Sequence, residues 1–297
     1  MCFLNLYNIY KYRVNKKLSS IINELPFQDN DLLKAMKYSM FSGGKRLRPC
    51  LVYGIGKMFK VNMTTLDIIS SAIECIHIYS LIHDDLPCMD NDDFRRGRQS
   101  CHIKYTEYTA LLAGNALHAL AFNILSKNCM PGVSDQKRIN MIHELSNSIG
   151  STGMCIGQML DLEKITKFNL SQLKITNLYK TAFLIRLSVR LAYFAAHNFS
   201  TIILSYLDVF SISFGLAFQM QDDILDMHKD VLKREYRIEK HNSLKNITVP
   251  LKVNLDVLKD QVNKLCDKSF LALNNLQKIG FNITFLKSLI QFSIKDN

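Results

Sequence analysis

Apolar positions recur at helical spacing through most of the 297 residues. Ile68-Ile69, Ala72-Ile73, Ile76 and Tyr79-Ser80 succeed one another by three or four residues. This predicts a helix that runs into the stretch HDDLPCMDNDDFRRG, His83 to Gly97. Tyr108 to Leu125 is apolar almost all round and predicts a central helix. Leu178–Ala196 and Leu204–Asp226 predict two further long helices. Gly150, Gly153 and Gly157 stand three and four apart, which predicts close approach by a neighbouring helix. Period-two alternation is nearly absent, and only five prolines interrupt the chain. The pattern predicts an all-α chain, one domain over residues 1–297, with no low-complexity linker.

Composition narrows this. At 48% hydrophobic, the chain has ample material for a core and is too apolar for disorder. Its eight cysteines lie scattered in apolar runs without a C-x-x-C pair, so neither a zinc site nor a disulfide framework is indicated. Buried thiols in a reducing cytosol are the expected reading. The N-terminus lacks the basic-then-apolar order of a signal peptide. The longest apolar run, Thr201 to Met220, carries Asp208 and several serines and is expected as a core helix, with no stable membrane insertion. The net charge of +11 admits an anionic partner, but the lysines are dispersed and no nucleic-acid motif is recognisable, so no nucleic-acid partner is expected.

Candidate chemistry concentrates in two acidic clusters, each near the end of an apolar helix. In the first, six Asp or Asn residues fall within ten positions, followed at once by Arg95-Arg96. The second is FQMQDDILD, Phe218 to Asp226. There Asp222, Asp223 and Asp226 share one helical turn, a repulsive arrangement that calls for a cation. Oxygen ligands suit Mg²⁺ shared with substrate phosphates. A di-iron centre would need a second Glu-x-x-His beside Glu74–His77, and none is present. Phosphate also needs cationic donors, and Gly43-Gly44-Lys45-Arg46-Leu47-Arg48-Pro49 is a glycine-bent basic loop. His77 lies two helical turns before Asp84, on the same face.

Five segments in this order, GGKRLRP (43–49), CIHIYSLIHDDLPCMDNDDFRRG (75–97), GMCIGQMLDL (153–162), YKTAFLIR (179–186) and FQMQDDILD (218–226), resemble the trans-isoprenyl diphosphate synthase family, and within it the bacterial short-chain enzymes. The resemblance implies about ten or more helices around a deep central cavity, and a homodimer. It implies that the acidic motifs face each other across the cavity mouth and hold Mg²⁺ ions, about two to three, on an allylic diphosphate. Asp84, Asp85 and Asp90 would be ligands from the first motif, and Asp222, Asp223 and Asp226 from the second. Arg95, Lys180, Thr181 and Gln219 would hold the allylic diphosphate. Lys45, Arg48, His77 and Arg96 would hold isopentenyl diphosphate.

The implied activity is condensation of isopentenyl diphosphate with dimethylallyl and then geranyl diphosphate to give the C15 product in the cytoplasm. Tyr79 and Ser80 would set product length, with bulky Tyr79 as the stop. Pro87 and Cys88, inserted between the first motif's aspartates, also resemble the short-chain enzymes. The alternatives are a geranyl or geranylgeranyl diphosphate synthase and a non-catalytic accessory subunit. A terpene cyclase would have less reason to keep the basic loop and the double arginine. Two departures stand out. The family's Lys-Thr-Gly is Lys180-Thr181-Ala182 here. The segment before Thr248-Val249-Pro250 has Tyr236, His241 and Asn246 where Lys, Asp and Lys are usual, with Lys233, Lys240 and Lys245 nearby.

Overall fold

The computed structural model describes the backbone of residues 2–163, 170–237 and 254–295, and the side chains of these residues except 226–237 and 295. The described chain is helical apart from one two-stranded hairpin. In order it forms α1 (Phe3–Asn23), α2 (Asp31–Met40), α3 (Leu47–Met58), α4 (Met63–Asp84), β1 (Phe94–Arg95), β2 (Arg98–Gln99), α5 (Cys101–Lys104), α6 (Glu107–Lys127), α7 (Asp135–Ile149), α8 (Met154–Leu162) and α9 (Leu170–Asn177). A π-helical turn, Leu178–Ala182, leads into α10 (Phe183–Phe194), followed by α11 (Thr201–Arg237), α12 (Leu255–Lys278) and α13 (Thr284–Lys295). The chain divides into two compact units, Met1–Leu145 with Ser188–Phe199, and Ser146–Leu187 with Ser200–Asn297.

In the first unit α4 is the core helix. Asn62 caps it, its side chain accepting from Thr64 N at 2.8 Å. From Leu66 to Ile76 nearly every residue is buried, including Ser70, Ser71 and Glu74. α3 packs closely because Gly56 has no Cβ, and one there would lie 2.2 Å from Leu66 Cδ2. Asp67 ties three helices together: Arg13 of α1 binds it at 2.6 and 3.0 Å, and Tyr53 of α3 donates to it at 2.7 Å. α6 differs from its expectation. Ala110, Ala113, Leu117, Ala121 and Ile124 are buried, but Tyr108, Leu111 and Leu112 are exposed. An apolar circumference leaves open which side is covered; here only one side is.

In the second unit α11 packs along α12, with Leu173 of α9 joining Ala217, Met220, Ile224, Leu258 and Val262 in one core cluster. The π turn is gripped by two glycines. A Cβ on Gly157 of α8 would lie 2.2 Å from Lys180 N, and one on Gly215 of α11 would lie 2.7 Å from Ala182 Cα. Of the three spaced glycines, then, Gly157 serves close approach by another element. Gly150 and Gly153 instead meet carbonyls of their own chain, at Ser146 and Ser148.

Helices α4 and α6 and the Thr201–Leu225 part of α11 have the length and hydropathy of membrane spans. For α4, 72% of the apolar window is buried inside the fold, so its apolarity is already spent on the core.

Gly157→Ala drives a methyl group into backbone, which no side-chain rotation relieves. Its expected cost is about 1–3 kcal/mol of stability, read as a lowered midpoint of chemical denaturation.

Candidate active site

The first unit gathers the first acidic motif and the basic loop. Asp84 ends α4, and the chain turns back at once: Met89 N and Asn91 N both donate to Leu86 O, at 2.9 and 3.1 Å. Asp90 N donates to Asp84 O at 2.9 Å, so the turn containing Pro87 and Cys88 brings Asp90 against Asp84. Asn91 then takes a left-handed φ of 53°, which Asn tolerates better than most residues.

The β1–β2 hairpin follows, with Arg96-Gly97 at its tip, both at positive φ. This is the backbone that a two-residue hairpin loop prefers. Its base is closed by Ser100, whose N donates to Asp93 O at 2.9 Å and whose hydroxyl donates to Asp92 O. Asp92 and Asp93, unassigned from sequence, therefore hold the hairpin that presents Arg95 and Arg96.

Asp85 is buried and engaged by Arg95, whose Nε donates to Asp85 Oδ1 at 2.8 Å and whose Nη2 donates to the same oxygen. Arg95 Nη2 also reaches Asp92 Oδ2 at 3.3 Å. Burial raises the Asp85 carboxyl above its ordinary range, and the hydrogen bonds from Arg95 pull the other way. In this arrangement Asp85 orients Arg95, while Asp84 and Asp90 are half-buried at the mouth of the turn.

Arg96 leans back on the basic loop. Its Nη1 donates to Gly43 O at 2.6 Å, and its guanidinium fills the space a Cβ on Gly44 would occupy, 2.7 Å away. Gly43 and Gly44 have φ of 95° and 115°, so both space and conformation require glycine at 44. Tyr7 OH donates to Lys45 O at 2.5 Å. Arg48 Nη1 lies 3.4 Å from His77 Nε2. Burial, and then the guanidinium groups of Arg48 and Arg96, hold the imidazole well below its usual range, so His77 is neutral at pH 7.

Tyr79 stands edge-on to His83 and to His118 of α6, with ring centroids 5.3 and 5.1 Å apart. Ser80 spends its hydroxyl on His77 O at 2.9 Å. Gly114 makes room for the His83 ring, whose Nε2 lies 3.1 Å from Leu111 O. The sequence reading missed His118, since a lone His on an apolar helix carries no distinguishing signal.

The second unit carries the other motif. The π turn presents Lys180 and Thr181, a local geometry frequent at functional sites. Lys180 Nζ binds Asp161 Oδ2 at 2.5 Å. Thr181 Oγ1 donates to Gln219 Oε1 at 2.7 Å, and Gln219 Nε2 donates to Asp223 Oδ1 at 3.0 Å. Asn177 Nδ2 donates to Asp223 Oδ2 at 2.9 Å. Gln219 and Asp223 are one turn apart on α11, so the network follows from helical spacing. Asp161 and Asn177 were missed as site residues, although Asp161 lies in one of the recognised segments. Ala182 is accommodated because Gly215 faces it: a Cβ there would lie 2.8 Å from Ala182 Cβ. The Asp226 side chain, and residues Lys233, Tyr236, Lys240, His241, Lys245, Asn246 and Thr248 to Pro250, lie outside the described residues.

Among the described residues no three His, Cys, Asp or Glu side chains form a metal cage. Mg²⁺ does not need one, because it is commonly held by one or two carboxylates, water and substrate phosphate. Carboxylate oxygens at Asp84, Asp90, Asp222 and Asp223 fit that chemistry.

Each unit thus gathers carboxylates beside cationic or hydrogen-bond-donating side chains. A Polyprenyl synthetase family model matches residues 29–269. The farnesyl diphosphate synthase of Buchnera aphidicola from Acyrthosiphon pisum is 62% identical, over 94% of this chain and 98% of that protein. That of Escherichia coli K12 is 44% identical, over 96% of each chain. The crystal structure of a geranyltransferase from Legionella pneumophila superposes with a TM-score of 0.86 at 33% identity, covering 99% of this chain and 96% of that one. The chain belongs to the polyprenyl synthetase family, the trans-isoprenyl diphosphate synthases, and has their all-α fold.

Gly44→Ala would displace the Arg96 guanidinium. Binding of inorganic diphosphate, followed by titration calorimetry, is expected to weaken roughly tenfold, as for loss of one charged hydrogen bond.

Proposed function

We infer that the chain is a short-chain prenyltransferase that condenses isopentenyl diphosphate with dimethylallyl and then geranyl diphosphate, releasing farnesyl diphosphate and diphosphate. The observation that carries this is the double set of carboxylates and diphosphate donors, within a chain 44–62% identical over nearly its whole length to farnesyl diphosphate synthases. The family match at 29–269 runs through both compact units, which supports reading residues 1–297 as one polyprenyl synthetase domain.

The allylic diphosphate is the ligand that Arg95, Lys180, Thr181 and Gln219 would hold. Their positive charge and N–H or O–H donors favour the negative charge that appears on the leaving group as the allylic C–O bond ionises. Bound Mg²⁺, held by Asp84 and Asp90 with Asp85 and by Asp222, Asp223 and Asp226, would neutralise part of that same charge. Lys45, Arg48, His77 and Arg96 would hold isopentenyl diphosphate with its double bond placed for attack on the cation. Neutral His77 offers an N–H donor without adding to the local positive charge. The new C–C bond leaves a tertiary cation, which loses a proton to the released diphosphate.

The exposed apolar face of α6 at Tyr108, Leu111 and Leu112 supports a homodimer, since a second copy would cover it. The burial of α4 supports a chain without stable membrane insertion. All eight cysteines are unpaired, which supports a reducing, cytoplasmic location.

Purified chain with Mg²⁺, dimethylallyl diphosphate and isopentenyl diphosphate is expected to yield the C15 product by chromatography. A C10 or C20 product would reassign it within the class, and no product from folded protein would make it an accessory subunit. Asp84→Ala is expected to lower turnover by at least roughly 10²–10³-fold; full activity would sink the metal assignment. Tyr79→Ala removes the ring that meets His118 edge-on and is expected to extend products beyond C15. An unchanged product distribution would clear Tyr79 of that role.

A further inference from the structure

The most buried ionic contact among the described residues has no part in the assignments above. Arg46 and Glu74 are 5% and 1% exposed, with Arg46 Nη1 donating to Glu74 Oε1 at 2.6 Å. The other guanidinium nitrogens are used as well: Nε donates to Asn15 Oδ1 at 3.0 Å, and Nη2 to Met40 O. Arg46 is also the residue that caps the start of α3, at a left-handed φ of 53°. That conformation is unfavourable for a non-glycine residue, and it persists only where the surroundings enforce it.

A buried ion pair is a poor choice for stability alone, because desolvation offsets its attraction and apolar side chains of similar size often do better. Its placement suggests another use. Arg46 and Arg48 are two apart at the start of α3, while Glu74 and His77 are three apart on α4. Arg46 meets Glu74 and Arg48 meets His77, so the buried pair forms the lower rung and the substrate-side pair the upper one. Glu74 Oε2 is buried without a hydrogen-bond partner, so the carboxylate is fixed through one oxygen. Its remaining charge also acts on Arg96, where it favours the guanidinium against the burial that opposes it. Glu74 is thus the buried counter-charge beneath a group of cations that would otherwise repel one another.

We propose that the Arg46–Glu74 pair is a positioning device for the isopentenyl diphosphate half of the site, locking the left-handed turn that sets Lys45 and Arg48 at the start of α3 against His77. The proposal rests on the prenyltransferase reading and adds two residues to it that touch no substrate. It separates two properties that a purely structural pair would couple, namely stability and affinity for one of the two substrates.

The test compares the native chain with Arg46→Lys, Glu74→Gln and the double variant Arg46→Met with Glu74→Met. Lysine keeps the charge but not the three-way fork. The double variant removes both buried charges together, so it is expected to melt no lower than either single variant. All three are expected to raise KM for isopentenyl diphosphate roughly ten- to hundredfold, with KM for geranyl diphosphate and kcat held within about twofold, as for misplaced binding groups. Arg46→Lys carries the test should the double variant fail to fold.

A folded double variant with native KM for isopentenyl diphosphate would reduce the pair to packing and overturn the proposal. So would an equal rise in KM for both substrates. Titration of the native chain with isopentenyl diphosphate, in a calorimeter, separates the two levels. Absence of binding there overturns the half-site reading and this proposal together, whereas native binding unchanged in the variants overturns the proposal alone.

Discussion

The constraint on which this structure depends is mutual repulsion among the like-charged side chains gathered around each acidic motif. Arginines gathered in one place repel each other, and gathered carboxylates do the same. In both units an internal partner is supplied in advance. Asp85 holds Arg95, Asp161 holds Lys180, and Glu74 holds Arg46 beneath Arg48 and Arg96. Asp223 accepts hydrogen bonds from two neutral amides, those of Gln219 and Asn177, which orient its oxygens.

Such preorganisation requires backbone that most residues avoid. The basic loop has left-handed residues at Gly43, Gly44 and Arg46, and the acidic loop and hairpin tip have them at Asn91, Arg96 and Gly97. Side chains and backbone from the same regions answer for them: Tyr7 holds the Lys45 carbonyl, Arg96 holds that of Gly43, and Ser100 closes the hairpin. The strain lies where the cations are aimed, and the helices on either side carry little of it.

Much of the fold and of the site's composition was legible in the sequence, because helical periodicity and ordered motifs are local signals. The run of α4 into the aspartates and the residues of both clusters could be read directly, whereas α11 spans Thr201–Arg237, beyond the Leu204–Asp226 expected. What could not be read depends on pairing across sequence. Nothing local distinguishes Asp85 from Asp84, yet one is buried on Arg95 and the other is half-buried. Asn177 becomes significant only when the π turn brings it to Asp223. Tyr108–Leu125 looked central because its apolar residues surround the helix, and only packing shows which face is left uncovered.

Ala182, a departure from the expected family pattern, and the inserted Pro87 and Cys88, a feature of its short-chain members, point the same way. Ala182 adds a methyl group where the resemblance leads one to expect glycine, and Gly215 on α11 has no Cβ at that spot, so the methyl group fits beside Lys180 and Thr181. Pro87 and Cys88 lengthen the acidic loop, and the hydrogen bonds to Leu86 O fold the added length into a turn that returns Asp90 to Asp84. In each case packing or backbone hydrogen bonding determines where a charged or polar group lies. By that reasoning the buried partners Gly215 and Glu74 act through what rests on them, Ala182 in the π turn and Arg46 in the basic loop.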